Sequence, residues 1–353
     1  MPSTPDPSDP IDPTDPAGPS DPADAAPARG GRWRRWREAA RHRRFTRMSG
    51  RRGRLRSMSA TPTAPAPVVD PTAERRAAVA RLAGPLGALP GQELLIGLDV
   101  DGTLVDHDGT MSAPMRAALQ HAAEEHTVVI ATGRSIGATL PIVRAAGIEH
   151  GYAVCSNGAV TLQIDADSEP GHRVIDTRTF LPGHALATLR EVAPDAHYAV
   201  ETAGGEFYAT TGFQDASFGV EAIESDLEDL MALEAVRVVV HVPDLSPQEF
   251  SKIVAESGVH GVEYAIGWTA WLDMAAPGVS KASALEVVRE RLGIAAAHTV
   301  AVGDGFNDVE MLGWAGVGVA MGQAPQGVKD VADEVTLSVY EDGTVLVLDA
   351  LGA

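Results

Sequence analysis

From about residue 93 onward, short apolar runs alternate with stretches of helical spacing. Leu94-Leu95-Ile96-Gly97-Leu98 is apolar or glycine throughout and ends in acids, which predicts a buried strand with an exposed carboxyl end. Ala113 to Glu125 reads as a helix, Thr127 to Ala131 as a second buried strand, Ile136 to Ala146 as a helix, and Tyr152 to Cys155 as a third strand. Strands alternating with helices imply parallel β-α-β units. Ligands of such folds sit at the carboxyl ends of the strands, and that is where this chain concentrates its polar residues.

After residue 181 the rhythm changes. Helical stretches (Ala185–Val192, Pro247–Ser257) mix with alternating ones (His197–Val200, Val236–Val242, Val262–Ile266), as in an α+β module. The earlier pattern resumes with a helix over Ser280–Leu292, a strand over Thr299–Val302 and a helix over Asp308–Ala315. The expectation is an α/β fold, a Rossmann-like parallel-sheet core formed by residues 91–181 and 274–353. Residues 182–273 would be the inserted α+β module.

Composition separates the first 90 residues from the rest. Residues 1–28 repeat Asp-Pro and Ser/Ala-Pro pairs, a pattern that predicts extended, disordered chain. Residues 29–56 carry thirteen arginines against one acid, Glu38, and a short basic helix there would align Trp33, Trp36 and Ala40. Such a helix reads either as a weak contact for an anionic surface or nucleic acid, or as a solvated tail with Met48 and Met58 as later starts. Residues 60–72 form a Pro/Ala linker, followed by a helix-like stretch from Glu74 to Leu82. The whole of 1–90 is expected to be a disordered Pro/Asp-rich and Arg-rich tail.

The net charge of −20 therefore understates the acidity of the body. From Ser57 on there are 28 − 13 = 15 basic and 48 − 7 = 41 acidic residues, a balance of −26. Such a body is a poor generic binder of nucleic acid, although a metal ion would let it bind phosphate locally. The single cysteine, Cys155, excludes an intrachain disulfide framework and fits a cytoplasmic location. No apolar run approaches the ~18 residues of a membrane span.

Four clusters lie at predicted strand ends. Asp99-Val100-Asp101-Gly102-Thr103 places two acids at i and i+2, which on an extended chain point the same way and would share a hard cation. A strand ending in an Asp-Gly turn would look the same. Thr132-Gly133-Arg134 offers a hydroxyl and backbone amides to a phosphate, or simply caps a helix. Lys281 sits at a helix start, where anions rather than cations are favoured, and a bound phosphate would resolve the anomaly. Gly303-Asp304-Gly305-Phe306-Asn307-Asp308 gathers two acids and an amide on one loop.

Together these segments resemble motifs I to IV of the haloacid dehalogenase (HAD) superfamily. Ser156-Asn157-Gly158-Ala159, the insertion before Lys281 and the ending Ala320-Met321-Gly322-Gln323-Ala324 resemble its Cof-type branch with a class IIB cap. The resemblance runs from about Leu94 to the C-terminus. It implies a Mg²⁺-dependent phosphatase in which Asp99 becomes an aspartyl-phosphate and Asp101 is the general acid and base. Asp99, Asp304 and the Asp101 backbone carbonyl would hold Mg²⁺, with Asp308 nearby. Thr132, Gly133 and Lys281 would bind the phosphoryl oxygens, and Asn307 would orient the loop or the phosphate.

The implied substrate is a small phosphorylated metabolite: a sugar phosphate, a flavin-pathway phosphate or a nucleotide-like one. Candidate cap contacts are Glu201, Tyr208, His241, Trp268 and Trp271, each of which ordinary cap structure would also explain. Two other readings remain at this point. One is a phosphosugar mutase or sugar-linked phosphatase of the same class; the other is a non-catalytic regulatory or binding protein on the same scaffold.

Overall fold

The computed structural model describes residues 71–352, apart from 90, 92, 214–220, 244, 260–261 and 267–270. The chain enters through α1 (Pro71–Gly87) and then β1 (Leu95–Leu98), every residue of which is buried. Next come α2 (Ala113–Glu125), β2 (Thr127–Ala131), α3 (Ile136–Ala146) and β3 (His150–Cys155). Ser112 and Ser135 begin the two helices, each hydroxyl accepting a bond from a backbone amide three residues on. β1, β2 and β3 run parallel, as strands joined by helical crossovers must. β4 (Val160–Asp165) and β5 (His172–Thr177) then fold back antiparallel along one edge.

The inserted module follows as α4 (Gly183–Val192), β6 (His197–Thr202), β7 (Phe207–Ala209), β8 (Ile223–Glu224), α5 (Leu227–Ala232), β9 (Ala235–His241), α6 (Pro247–Ser257), β10 (Glu263–Ile266) and β11 (Trp271–Ala275). Its strands form a separate sheet in the order β10-β11-β9-β6-β7-β8. Alternation along the strands gives this sheet two unlike faces. Tyr198, Val200, Val238, Val240, Leu272 and Met274 pack with Leu186, Leu189, Leu230 and Phe250 of the helices. Ala199, Phe207, Ala209 and Val239 lie on the opposite face.

The chain returns through α7 (Lys281–Leu292), β12 (Thr299–Gly303), α8 (Val309–Trp314), β13 (Val317–Ala320), α9 (Gln326–Lys329), β14 (Glu334–Val335) and α10 (Gly343–Ala350). The main sheet has eight strands in the order β14-β13-β12-β1-β2-β3-β4-β5. β1 pairs in parallel with β2 on one side and with β12 on the other, Leu95 lying opposite both Thr127 and Thr299. Strand order therefore reverses at β1, and a switch point of this kind opens a crevice at the carboxyl ends. Successive residues feed two cores: Ile96 and Leu98 pack with α1, α2 and α10 on one face, and Leu95 packs with α7 and α8 on the other. The expected α/β core with an inserted α+β module is the fold that the chain adopts.

One expectation is corrected. Residues 71–87 are not tail but a helix packed on α10, with Ala78, Leu82 and Leu86 buried in the main core. These positions recur every four residues and form one apolar stripe. Gly84, Pro85 and Pro90 around them obscure the helical pattern in the sequence. Arg75 and Arg81 fasten the helix further by donating to the backbone oxygens of Glu341 and Val335. Residues 1–70, with the arginine-rich segment 29–56, lie outside the described residues. Among the described residues, no helix is long and apolar enough to cross a membrane.

Candidate active site

Asp99 is the first residue beyond β1, and its amide is held by the Val302 carbonyl of β12 at 3.0 Å. The chain then turns back on itself, with the amides of Thr103, Leu104 and Val105 all donating to the Val100 carbonyl. Gly102 sits in this turn with φ of 78°, and a Cβ there would meet Asp304 Oδ2 at 2.3 Å. Only glycine satisfies both demands.

The turn also separates the two acids that the sequence places side by side. The rule that i and i+2 share a face holds for extended chain, and extension ends at Val100. Asp99 is 5% exposed. The Asp101 side chain, 60% exposed, faces away to Arg134, which donates from Nε to Oδ2 at 3.0 Å and from Nη2 to Oδ1 at 2.5 Å.

Lys281 opens α7, one residue after the capping Ser280, and is fully buried. Its Nζ donates to Asp99 Oδ1 at 2.6 Å and to Asp308 Oδ1 at 2.7 Å. These carboxylates resolve the oddity of a cation at a helix start. Asp308, also fully buried, accepts from the amides of Asp304 and Gly305 through Oδ2 at 2.9 and 2.8 Å. One carboxylate thus fixes the lysine and shapes the loop that presents Asp304.

Carboxylate oxygens of Asp99, Asp304 and Asp308 all lie within 4.8 Å of one another. Three acids face a single ammonium, and the imbalance shows in their acidities. Burial, reinforced by Asp308, raises Asp99 well above the usual carboxylate range. Burial, again with Asp308, pushes Asp304 up to about 6. Burial alone would lower Lys281, but Asp308 and Asp99 more than reverse it and raise the ammonium above its ordinary value. An all-oxygen donor set with this excess of negative charge suits a hard divalent cation such as Mg²⁺.

Thr132 is fully buried just beyond β2, and its hydroxyl accepts from the Arg134 amide at 3.1 Å. A Cβ on Gly133 would press against the Asn157 amide group at 3.0 Å. Asn307 Nδ2 donates to that same Asn157 Oδ1 at 3.0 Å, which draws the second and fourth clusters together. The structure therefore brings Asp99, Lys281, Asp304 and Asp308 into one cluster, with the loops of Thr132, Gly133 and Asn307 braced beside it. Asp101 is the residue that turns outward.

Among the cap candidates, Glu201 reaches the core, accepting from Ser156 Oγ at 2.8 Å. His241 and Trp271 pack ring to ring at 5.5 Å. Tyr208 lies with the helix-covered core of the module, and Trp268 falls outside the described residues. Two further residues at the site lay within the motifs but were given no role from the sequence. Arg134 binds Asp101. Gln323 donates to Asp304 Oδ2 at 3.1 Å and to the Gly102 carbonyl at 2.5 Å, and accepts from the Val339 amide at 3.1 Å. Its position just after β13 was the available signal.

The chain is also similar to known proteins. The sequence profile of the haloacid dehalogenase-like hydrolases matches residues 96–348. Pyridoxal phosphate phosphatase YbhA of Escherichia coli is 30% identical over 257 residues, which cover 68% of this chain and 92% of that protein. The 5-amino-6-(5-phospho-D-ribitylamino)uracil phosphatase YitU of Bacillus subtilis is 26% identical over 265 residues, or 70% of this chain and 94% of that one. The structure of the HAD subclass IIB sugar phosphatase BT4131 has the same fold, with a TM-score of 0.62 at 23% identity over 73% of this chain and 99% of its own.

Proposed function

Because the chain belongs to the haloacid dehalogenase-like hydrolases and acts on phosphate monoesters, we propose that it is a Mg²⁺-dependent phosphatase of a small phosphorylated metabolite, working through an aspartyl-phosphate at Asp99. The observation that carries this reading is the convergence of Asp99, Asp304 and Asp308 around the buried ammonium of Lys281.

Asp99, Asp304 and the Asp101 backbone carbonyl would hold Mg²⁺, with Asp308 beside it. The ion would offset repulsion between a carboxylate nucleophile and a dianionic phosphate. Lys281 fixes the Asp99 carboxylate through Oδ1 and adds positive charge where the transferring group gains negative charge. Thr132 and the Gly133 amide bind phosphoryl oxygens, and Asn307 steadies their loop through Asn157.

Asp101 protonates the leaving oxygen and then activates the water that hydrolyses the aspartyl-phosphate. To do so it leaves Arg134. Asp101 is the exposed partner of this pair, so water and substrate can compete with Arg134 for its carboxylate. The acid at this position favours hydrolysis over a retained phosphoenzyme.

The inserted module, roughly residues 182–273, would close over the site and select the leaving group. Relatives that act on pyridoxal phosphate, a ribitylaminouracil phosphate and a sugar phosphate support a small metabolite here without deciding among them. The single cysteine, buried and reduced, suits a cytoplasmic enzyme.

The reading is tested by hydrolysis of p-nitrophenyl phosphate and of a panel of phosphorylated metabolites. Activity is expected to need Mg²⁺ and to vanish with a chelator or with Asp99→Asn. Full activity in the Asp99→Asn protein would overturn the mechanism.

A further inference from the structure

The turn after β3 holds an unusual backbone. Ser156 and Asn157 have φ of 50° and 55°, two left-handed residues in succession and neither a glycine. Asparagine tolerates this region; serine has no comparable tolerance. Such conformations persist where their surroundings over-determine them, and they cluster at functional sites.

Several contacts do so here. The Ser156 amide donates to the Arg134 carbonyl at 2.8 Å, and the Asn157 amide to the Thr132 carbonyl at 3.0 Å. Asn307 Nδ2 donates to Asn157 Oδ1 at 3.0 Å. The next residue, Gly158, approaches α7 so closely that a Cβ there would lie 2.2 Å from the Ser280 carbonyl oxygen and 3.2 Å from the Lys281 amide. One short turn therefore touches the segments that carry Thr132, Lys281 and Asn307.

The remaining contact comes from the inserted module. Glu201 on β6, 1% exposed, accepts from Ser156 Oγ through Oε2 at 2.8 Å. Its carboxylate also faces the Ile136 amide at the start of α3. Within its own sheet it lies opposite Arg237 of β9, whose Nε donates to Asp273 Oδ1 of β11 at 2.6 Å. A buried carboxylate is a costly way to join two domains if packing is all that is needed.

Building on the phosphatase reading, we propose that Glu201 is a positioning residue: it clamps the Ser156–Asn157 turn in its left-handed form and so couples the seating of the inserted module to the phosphate-binding loops. When the module lifts, Ser156 loses this clamp and its backbone relaxes toward negative φ. Asn157 then withdraws from Asn307 and from Gly133, and the phosphate site loosens.

The proposal separates a backbone effect from a side-chain contact, because glycine holds the same φ without help. In the full chain, Glu201→Ala and Ser156→Ala are each expected to weaken inhibition by inorganic phosphate about tenfold. Ser156→Gly lacks the hydroxyl as well, yet is expected to bind phosphate about tenfold more tightly than Ser156→Ala. Added to Glu201→Ala, it is expected to restore most of the lost affinity. Glu201→Gln keeps an acceptor oxygen and is expected to fall between Glu201→Ala and wild type.

Equal impairment of Ser156→Gly and Ser156→Ala would overturn the proposal, as would a double variant no better than Glu201→Ala. If Glu201→Ala does not fold, the comparison of the two Ser156 variants decides alone. Amide hydrogen exchange gives a readout independent of turnover: Ser156→Ala is expected to speed exchange at residues 156 and 157. Unchanged exchange there sinks the clamp. A wild-type protein that shows the clamp but releases no phosphate from any ester sinks the phosphatase reading instead.

Discussion

At the scale of single residues, the site is a problem in charge balance. Two buried carboxylates, a half-buried third and one ammonium leave the cluster two charges negative when all are ionised. Asp304 titrates near 6, and Asp99 is raised as well. Their unfolded values are near 3.9, so from about pH 4 to 6 folded Asp304 holds a proton that the unfolded chain has released, and Asp99 acts in the same direction. The stability associated with Asp304 is present below about pH 4 and lost as pH rises through about 6. Thermal melts in chelator are therefore expected to show a lower Tm at pH 8 than at pH 5, with Mg²⁺ restoring more at pH 8. A flat profile would show that the cluster is not strained by its own charge.

Asp101 has the opposite situation, exposed and paired with Arg134. Asp101→Asn is expected to slow turnover on p-nitrophenyl phosphate by about a hundredfold, a common size for general acid–base loss. Phosphate on Asp99 should accumulate, detectable as a mass increase of the intact protein. Turnover at the wild-type rate would remove Asp101 from the acid–base role. The candidates Asp99, Thr132 and Asp304 stood out in the sequence because each follows a buried run. The outward turn of Asp101 did not, since the i, i+2 rule carries no information about where the strand stops. Gln323 entered only as part of the segment Ala320–Ala324 and was given no role, because its partners Asp304, Gly102 and Val339 are remote in sequence.

At the scale of elements, strands and helices with strong periodicity appear close to where the pattern puts them. β2, α2, α3 and α6 have the predicted limits. β3 begins two residues early, at His150, where exposed and half-buried positions dilute the apolar run. α1 departs most, because Gly84, Pro85 and Pro90 mask a stripe that packing against α10 makes meaningful. Removing residues 1–58 leaves α1 in place and is expected to leave Tm and activity intact. Leu82→Ala is expected to cost about 2–5 kcal/mol, as for other fully buried leucines, and to lower Tm measurably. Equal stability of the Leu82→Ala protein would mean that α1 is an accessory after all.

At the scale of the whole molecule, the body beyond Ser57 carries a balance of −26 yet accepts an anionic substrate. Its surroundings repel what its site binds, and salt screens that repulsion over a Debye length of about 10 Å at 0.1 M. The KM for a dianionic phosphate ester is expected to fall as ionic strength rises from low values, with kcat little affected. A KM that rises with salt would mean that local attraction at Lys281 and Mg²⁺ outweighs the field of the body.

The position of β1 between β2 and β12 has a consequence for how the protein is made. Leu95 leaves the ribosome with its neighbours in β2 and β3, but its other partner, Thr299, is synthesised only after the entire inserted module. Until then the nascent sheet ends in a bare apolar edge, and Asp99 stands beside it without Lys281, Asp304 or Asp308. Along that edge the emerging chain is thus open to wrong pairing. Closure of the edge waits for the last quarter of the chain, where Lys281 comes just before β12 and Asp304 and Asp308 just after it.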